Sequence, residues 1–556
     1  MRKIHKKIYV ALLVTFFTLG SAYFAFGDYY QALSRQLNLF NELYKELVVN
    51  YVDQVDPDAL IEAGINGMLE TLDPYTVYME KEEQHGIKTL TEGRYGGVGI
   101  RLGVRNDTLT VIAPMEGSPA MRAGIQAGDK IIQIDTLRAA ELRLSKAAEK
   151  MRGKPGTVVT LTILRPGYSD RIPFALERDN IVVQDLAYAD YIDDGIGYFK
   201  LTSFSKNSDQ ELKKAFKLME VSSMRGMILD LRDNPGGLLA SALEVADLFI
   251  EPGIEVLTTK GRTEKANKSF QTREKPIIPG DVPIAVLVND GSASASEIVA
   301  GVLQDLDRAV IIGQGTFGKG LVQTVIPLSR ESSVKITTAK YYIPSGRLIQ
   351  KQDYFNEEVM TSPVQGDSIF YTQNHRKVYG GGGINPDIPV AKEVIPKAVS
   401  LISAKNKFFS FTVNYHNRHE NRSWPFAVND SLYEQFMTYL QDSEFEYLTP
   451  KERHFNAFLS KMDSAALARP ELNHSVEVFR TYFQDTNHWK SDQDTREWIY
   501  RSLEREFAQI YGGTKKRIHA GLKYDSAVKT ARKVLQNDLE YQSQLGWVTA
   551  GTSPEN

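Results

Sequence analysis

Three serines lie close together within residues 289–297, a segment made mainly of small residues. Ser292, Ser294 and Ser296 fall there between a predicted strand and a predicted helix. A serine at the N-terminus of a helix is favoured by the helix dipole, and free backbone N–H groups nearby can stabilise an oxyanion. The pattern indicates nucleophilic catalysis. It leaves the three serines in competition, because Ser296 before Glu297 could equally cap the helix.

A nucleophilic serine needs a base to accept its proton, and the base is usually sought first among the histidines. No histidine occurs between residues 87 and 374, so a Ser-His-Asp triad is excluded unless His85, His375 or the C-terminal region contributes. Lysine is then the candidate base that remains, because a buried lysine can lose its proton near pH 7. Lys319 is flanked by glycines and a phenylalanine rather than by charges, which favours it as that base. The alternative is an ordinary solvated lysine in a loop.

The chain around these residues alternates predicted strands with predicted helices. We expect strands at residues 196–201, 226–231, 284–288, 309–312 and 334–343. This alternation predicts an α/β core, in which chemistry collects at loops beyond the carboxyl ends of strands. The serine segment and the glycine-rich loop that ends in Gly236-Gly237 both follow predicted strands.

Residues 93–178 resemble a PDZ domain, since short β-type runs alternate with Ala123-Gly124-Ile125 and with Gly128-Asp129-Lys130. A PDZ domain binds a chain terminus as an added strand on a sheet edge. The alternative is a glycine-rich hairpin without a ligand. The resemblance implies peptide contacts at the residues that precede the first run, namely Gly96, Gly97, Val98, Gly99 and Ile100.

The two ends of the chain differ from this middle part. Residues 1–27 combine a basic start with an uncharged stretch, which predicts a cleaved signal peptide or, alternatively, a retained membrane anchor. Either would place the rest outside the cytoplasm. Residues 28–92 are predicted as a helical arm for packing or dimerisation. Residues 393–556 are predicted as a separate helical region without a catalytic motif, with a disordered tail at 549–556.

Length and composition limit the remaining possibilities. A chain of 556 residues is long enough for several domains. It has no cysteine, which excludes disulfides, thiolate nucleophiles and cysteine-based metal sites. A net charge of −3 gives no reason to expect a nucleic-acid partner.

Several motifs together resemble the C-terminal processing peptidases, also called tail-specific proteases, from about residue 35 to 392. They are Asp230-Leu231-Arg232-Asp233-Asn234-Pro235-Gly236-Gly237, Ser294-Ala295-Ser296-Glu297-Ile298, Thr316-Phe317-Gly318-Lys319-Gly320, and Gly383-Ile384-Asn385-Pro386-Asp387. The resemblance implies a crotonase-like α/β catalytic core at residues 179–392 with the PDZ domain inserted before it.

The same resemblance implies a role for individual residues. Ser294 would be the nucleophile, Lys319 the general base, and Gln323 the residue that orients the lysine. The backbone N–H groups of Ala295 and of one glycine of the Gly236-Gly237 pair, with Gly236 favoured, would form the oxyanion hole. Asp305 matches a family aspartate whose expected role is structural.

The implied activity is that of an exported serine endopeptidase of the bacterial periplasm or the outer face of the inner membrane. It would cleave proteins with apolar C-terminal tails through an acyl-enzyme, without a metal or cofactor, and could form a homodimer. Two rival functions remain: a PDZ-based binding protein on an inactive scaffold, and a thioester enzyme, because a fold does not fix a function.

Overall fold

The computed structural model describes residues 30–193, 195–330, 332–353, 358–359, 369–419, 427–463, 467, 469–486 and 488–547. Two compact units are present. The first comprises the chain up to residue 82 together with residues 323–337, and the second comprises the rest. The predicted signal or anchor and the predicted disordered tail lie outside the described residues. None of the helices in the described ranges is long and apolar enough to cross a membrane.

The first unit contains a helix at residues 30–50, the helix Pro57–Leu69 and the strand Val77–Glu80. The strand pairs antiparallel with residues 332–335, although the arm was predicted to be helical, with a break only at Asp73-Pro74. The turn before the strand is closed by Asp73, whose carboxylate accepts the N–H groups of the second and third residues after it at 2.9 and 3.1 Å. Such a turn explains why the helical pattern stops there.

A six-stranded sheet forms the centre of the second unit. Its strands, in spatial order, are Leu186–Asp193, Ile196–Leu201, Gly226–Asp230, Ile284–Val288, Val310–Gly313 and Ile388–Pro389. The first pair is antiparallel and the others are parallel. The predicted strands at 196–201 and 284–288 are confirmed, and those at 226–231 and 309–312 are correct to one residue. Continuous apolar runs are typical of parallel strands buried on both faces.

Helices cover both faces of this sheet. One face packs against Ser208–Leu218, Leu239–Ala246 and Ala295–Asp305. The other face packs against Ser526–Leu535, whose apolar residues recur at helical spacing and are buried against the central strands. The end of the chain therefore contributes directly to the packing of the sheet that carries the serine segment.

The segment that resembles a PDZ domain forms its own sheet and core. Its strands, in spatial order, are Ile100–Arg105, Thr108–Pro114, Lys130–Ile134, Val158–Leu164 and Arg171–Glu177, with Leu137–Arg138 beside the third. The helices Pro119–Arg122 and Leu144–Met151 complete it, and a short pair joins Arg94–Gly97 to Asp179–Val182. Ile100–Arg105 lies at one edge of the sheet, which is the position that strand addition requires.

The other elements include the helix Lys81–Glu92, the strand Leu321–Pro327, one small sheet and a group of C-terminal helices. Two short strand pairs are also present, Gln352–Asp353 with Glu358–Val359 and Ile369–Tyr371 with Lys377–Tyr379. Glu255–Lys260 pairs with Lys268–Gln271 and with residues 340–342 of the strand Ser332–Tyr342. The helices are Lys397–Ala404, Lys407–Arg418, Asp430–Asp442, Pro450–Leu459, Pro470–Thr486, Gln493–Leu522 and Asp538–Gln544. Several of these helices share a cluster rich in aromatic side chains, which confirms a helical C-terminal region.

An ion pair is buried next to the helix Ala295–Asp305. Arg347 Nη2 lies 2.7 Å from Asp305 Oδ1, and both side chains are fully buried. Asp305 also accepts the Ser345 N–H at 3.0 Å. Burial raises the pKa of Asp305, whereas the nearby guanidinium lowers it. These contacts agree with a structural role for Asp305.

Removing one partner of this pair should destabilise the fold strongly. Arg347→Met leaves the Asp305 carboxylate buried without its counterion, so we expect a loss of about 3–5 kcal/mol in the free energy of unfolding. Urea denaturation measures it. The matched control is Arg480→Met, which removes an exposed pair with Glu477 and should cost less than about 1 kcal/mol. Equal losses in the two variants would contradict the expectation.

Candidate active site

Three loops meet at one edge of the central sheet, because each follows the carboxyl end of one of three adjacent parallel strands. Residues 231–237 follow Gly226–Asp230, residues 289–294 follow Ile284–Val288, and residues 314–320 follow Val310–Gly313. This is the edge at which ligands bind in open α/β sheets. The second loop contains the three serines, and the third contains Lys319.

The conformation of the serine loop distinguishes its three serines. Ser292 and Ser296 are buried, and their hydroxyls donate to the backbone carbonyls of Leu231 and Asn234, each at 2.8 Å. Ser294 is half-buried and adopts φ 55° and ψ −112°. A positive φ strains a residue that is not glycine, and such strain is frequent at functional sites. Ser294 is therefore the serine whose position differs from that of an ordinary structural residue.

Glu297 connects the serine loop to the lysine loop. Its fully buried carboxylate accepts the N–H groups of Ser294 and Lys319 at 2.8 and 2.9 Å. It also accepts the Thr316 hydroxyl at 2.6 Å and the Gly318 N–H at 2.7 Å. Burial raises the pKa of Glu297 to about 7, although these hydrogen bonds counteract part of the rise. One carboxylate thus fixes the backbone at both predicted catalytic residues.

Tyr341 makes a second connection between the same two loops. Its buried hydroxyl hydrogen-bonds to the Lys319 carbonyl and lies 3.3 Å from the Ser294 carbonyl oxygen. Burial raises the pKa of Tyr341 well above its ordinary value, and the nearby Glu297 carboxyl raises it further. The tyrosine therefore stays protonated and acts as a hydrogen-bond donor.

The glycine pair of the first loop packs directly against the serine loop. A Cβ atom at Gly236 would lie 2.6 Å from the Ala293 carbonyl oxygen and 2.9 Å from both the Ala295 nitrogen and Ser294 Cβ. No side chain fits there, so the glycine permits a close approach of two backbones. The backbone of Gly236 therefore lies close to the Ala295 nitrogen, where a side chain would otherwise intervene.

The amide groups around this space are not equivalent. The Gly236 N–H donates to the Asn234 side chain at 2.9 Å. Within the described ranges, the N–H groups of Ala295 and Gly237 donate no backbone hydrogen bond. The Gly236 N–H is therefore already hydrogen-bonded in this conformation, and the choice of Gly236 over Gly237 as the oxyanion donor stays a prediction.

A network of ion pairs holds Arg232, the second residue of the loop 231–237. Arg232 donates to both carboxylate oxygens of Asp230 at 2.9 and 2.7 Å. Its other contacts reach Asp525, at 2.8 and 3.0 Å. Burial would raise the pKa of Asp230, but Arg232 and Lys200 outweigh burial and hold it well below its usual range. The C-terminal helical region thereby anchors the loop that carries the glycine pair.

The other predicted site residues lie elsewhere. Gln323 belongs to the first unit, where its side-chain amide donates to Thr337 Oγ1 at 3.3 Å, and its predicted role toward Lys319 stays a prediction. At Gly96 and Gly99, the space of a side chain is filled by the Gly153 carbonyl and by Ser118. Packing within the chain therefore already accounts for these two glycines. Val98 is buried and Ile100 half-buried.

Sequence reasoning missed three contributions to this site: Tyr341, Asp525 and Glu297, which it named only as the residue after Ser296 and as part of a motif. The Ser-x-x-Glu spacing of a capping box was the one available signal for Glu297. No signal was available for the other two. Among the described residues, no group of histidine and acidic side chains has an arrangement that could hold a metal ion.

Models of four protein families match separate parts of the chain. The model of peptidase family S41 matches residues 195–358 and that of a PDZ domain matches residues 110–165. The model described as the C-terminal helical domain of a probable PDZ-protease matches residues 398–535. The model of the N-terminal domain of the activating protease CtpB matches residues 26–83.

Individual relatives carry the name carboxy-terminal processing protease. The protein from Bartonella bacilliformis is 41% identical over 334 residues, which are 59% of this chain and 76% of that protein. CtpA of Bacillus subtilis is 30% identical over 387 residues, 69% of this chain and 82% of its own. Among solved structures, the photosystem II D1 C-terminal processing protease matches 64% of this chain and 87% of its own, with 26% identity and a TM-score of 0.35.

Proposed function

The chain belongs to the carboxy-terminal processing proteases of peptidase family S41, and from that premise we propose that it is a serine endopeptidase with a Ser294-Lys319 dyad. The observation that carries the proposal is the pair of shared partners, Glu297 and Tyr341, which tie the backbone of Ser294 to that of Lys319. Fixed geometry between a nucleophile and its base is what covalent catalysis requires.

The proposed reaction is acyl transfer to water. Neutral Lys319 accepts the proton of the Ser294 hydroxyl as the oxygen attacks the peptide carbonyl. The tetrahedral oxyanion is stabilised by the N–H groups of Ala295 and of Gly237 or Gly236. The amine product then leaves with a proton, and water hydrolyses the acyl-enzyme. Gln323 is proposed to orient Lys319. No step of this scheme uses a metal or a cofactor.

The proposal extends to the other parts of the chain. We propose a crotonase-like catalytic core at residues 179–392, because helices cover both faces of its sheet and the candidate site lies at the carboxyl edge. The PDZ domain at residues 93–178 would bind substrate tails along the exposed edge of Ile100–Arg105. The arm at residues 28–92 is proposed to dimerise, and residues 1–27 to direct export to the periplasm or to the outer face of the inner membrane.

Two measurements on the full chain test the dyad and the activity together. The first is cleavage of an unfolded protein that ends in an apolar tail, followed by mass spectrometry of the products. The second is labelling with a fluorophosphonate and identification of the modified residue. We expect cleavage, and labelling at Ser294 with Ser292 and Ser296 unmodified. Tail binding without cleavage or labelling would instead favour the PDZ-based binding protein.

The anchoring of the glycine loop by the helical region leads to a separate prediction. Asp525 caps the helix Ser526–Leu535 and also pairs with Arg232. Asp525→Asn keeps a good capping residue but removes the charge, so kcat should fall about tenfold while KM and stability change little.

The matched control for this prediction is Asp492→Asn, because Asp492 caps Gln493–Leu522. This control should retain kcat. If Asp525→Asn also retains kcat, the helical region does not position the loop. If Asp525→Asn unfolds the protein, the pair contributes to stability instead.

A further inference from the structure

A cavity of about 230 Å³ lies between the carboxyl edge of the central sheet and the helices near the end of the chain. Val288 and Gly313, the last residues of two adjacent parallel strands, line one side. Trp498 and Tyr524 line another. Asn289, the first residue of the serine loop, also borders the cavity, so the cavity lies next to the candidate active site.

Cationic side chains predominate in the lining of this cavity. Two carboxylates, Glu393 and Asp525, are outnumbered by four cations: Arg232, Lys392, Arg501 and Arg505. A cavity with such a surplus of fixed positive charge attracts anions.

Three of the four cations already have counterions. Arg232 is held by two carboxylates. Arg501 pairs with Glu497 and lies 3.8 Å from Glu393, and Lys392 lies 3.3 Å from Asp290. Their charges are therefore largely neutralised within the protein.

Arg505 is the exception. Its side chain is exposed, and it makes no hydrogen bond or ion pair with a residue in the described ranges. Desolvation by the surrounding protein lowers the pKa of Arg505, and the like charge of Arg517 lowers it further. The carboxylates of Glu506, Asp525 and Glu393 raise this pKa, although none of them is within ion-pair distance. An anion that enters the cavity could pair directly with this guanidinium, which no carboxylate in the described ranges does.

We propose that this cavity is a carboxylate subsite for the polypeptide being cut, with Arg505 as the residue that binds the carboxylate. The proposal rests on the endopeptidase function proposed above. A guanidinium binds a carboxylate with two parallel hydrogen bonds. The volume suits one chain end or one side chain, so the carboxylate comes either from the substrate C-terminus or from an Asp or Glu near the scissile bond.

Matched peptides distinguish these two sources. One arm compares a peptide that has a free C-terminal carboxylate with its carboxamide. The other arm keeps the carboxamide and places Glu or Gln at successive positions around the cleavage site. For the peptide that occupies the cavity, we expect kcat/KM to be about tenfold higher with the carboxylate than with the amide, mainly through KM.

The variants decide whether Arg505 is responsible for that preference. Arg505→Gln should bring the Glu/Gln ratio close to one, and it should lower the carboxylate/carboxamide ratio about tenfold, since any preference left in that arm belongs to the proposed PDZ contact. Arg517→Gln removes a nearby arginine that pairs with Glu506 at 3.0 Å and does not line the cavity, so it should keep the wild-type ratio. A wild type without a preference in either arm, or ratios that Arg505→Gln leaves unchanged in both arms, would overturn the proposal.

Failure of the subsite can be separated from failure of the proposed function. If wild type cleaves no peptide and no tailed protein, the endopeptidase function is wrong. The same peptide pairs are therefore also measured by fluorescence anisotropy on Ser294→Ala, which reports binding without turnover. Tighter binding of the carboxylate form that Arg505→Gln weakens would support the subsite, and a preference that Arg505→Gln leaves unchanged, or equal binding of both forms, would overturn it.

Discussion

Ser294→Ala and Lys319→Ala should each reduce kcat for a tailed unfolded protein by about 10³-fold or more, with KM nearly unchanged. Each variant removes one half of the proposed dyad, whereas the oxyanion donors and the PDZ segment remain. The double variant should lose little more than either single variant, because the two residues act as one unit. Steady-state cleavage kinetics of the three variants measure these losses.

The neighbouring serine Ser292 provides the control. Ser292→Ala removes a buried hydrogen bond to the Leu231 carbonyl, so it should cost about 1 kcal/mol of stability and leave kcat within tenfold of wild type. Thermal melts establish that all variants are folded. If folded Ser294→Ala retains more than a few per cent of wild-type kcat, the nucleophile is another residue.

The strands that carry the site could be predicted because their signals are local. Ile284–Val288 is an unbroken apolar run that ends at Asn289, and the strand has the predicted limits. The loops that follow contain glycine and asparagine, which mark turns. Placing the serine and lysine segments at one sheet edge then required only the rule that parallel strands end on the same side.

The connections between these loops could not be predicted, because they depend on partners far apart in the chain. Glu297 accepts hydrogen bonds from residues about twenty positions further on. Arg232 and Asp525 are separated by 293 residues. The strand Val77–Glu80 was missed for the same reason, since its partner is the segment 332–335. A short strand is stabilised by its neighbour rather than by its own sequence.

Glu297→Gln should reduce kcat by about 10²-fold or more. One carboxylate oxygen of Glu297 accepts from the N–H groups of Ser294 and Lys319, and the other accepts from Thr316 and Gly318. A glutamine amide has a single oxygen, so either orientation turns its NH₂ group toward at least one backbone N–H, which then has no acceptor. Buried donors without acceptors are costly, and the two loops should lose their fixed spacing.

The control for this variant is Glu211→Gln. Glu211 is a half-buried carboxylate that accepts the backbone N–H groups of Asp185 and Leu186 at 3.0 and 2.8 Å, away from the three loops. Its replacement should lower stability without changing kcat. Equal loss of kcat in both variants would mean that any weakened carboxylate contact impairs the enzyme, and that Glu297 has no special role in positioning.

The pH dependence separates positioning by Glu297 from simple structural damage. The pKa of Glu297 is raised from 4.5 to about 7. The folded state therefore binds more protons than the unfolded state between these values, and the stability contribution of Glu297 decreases as pH rises from 4.5 to 7. Activity should change in the opposite direction, because only the ionised carboxylate accepts all four donors.

In wild type, kcat should therefore rise through pH 7 as Glu297 ionises, in addition to the rise expected as Lys319 loses its proton. In Glu297→Gln, the step near pH 7 should disappear and the dependence on Lys319 should remain. The decrease in stability between pH 4.5 and 7 should become shallower in the same variant. An unchanged step near pH 7 in Glu297→Gln would assign that ionisation to another group, and Glu297 would then only support the fold.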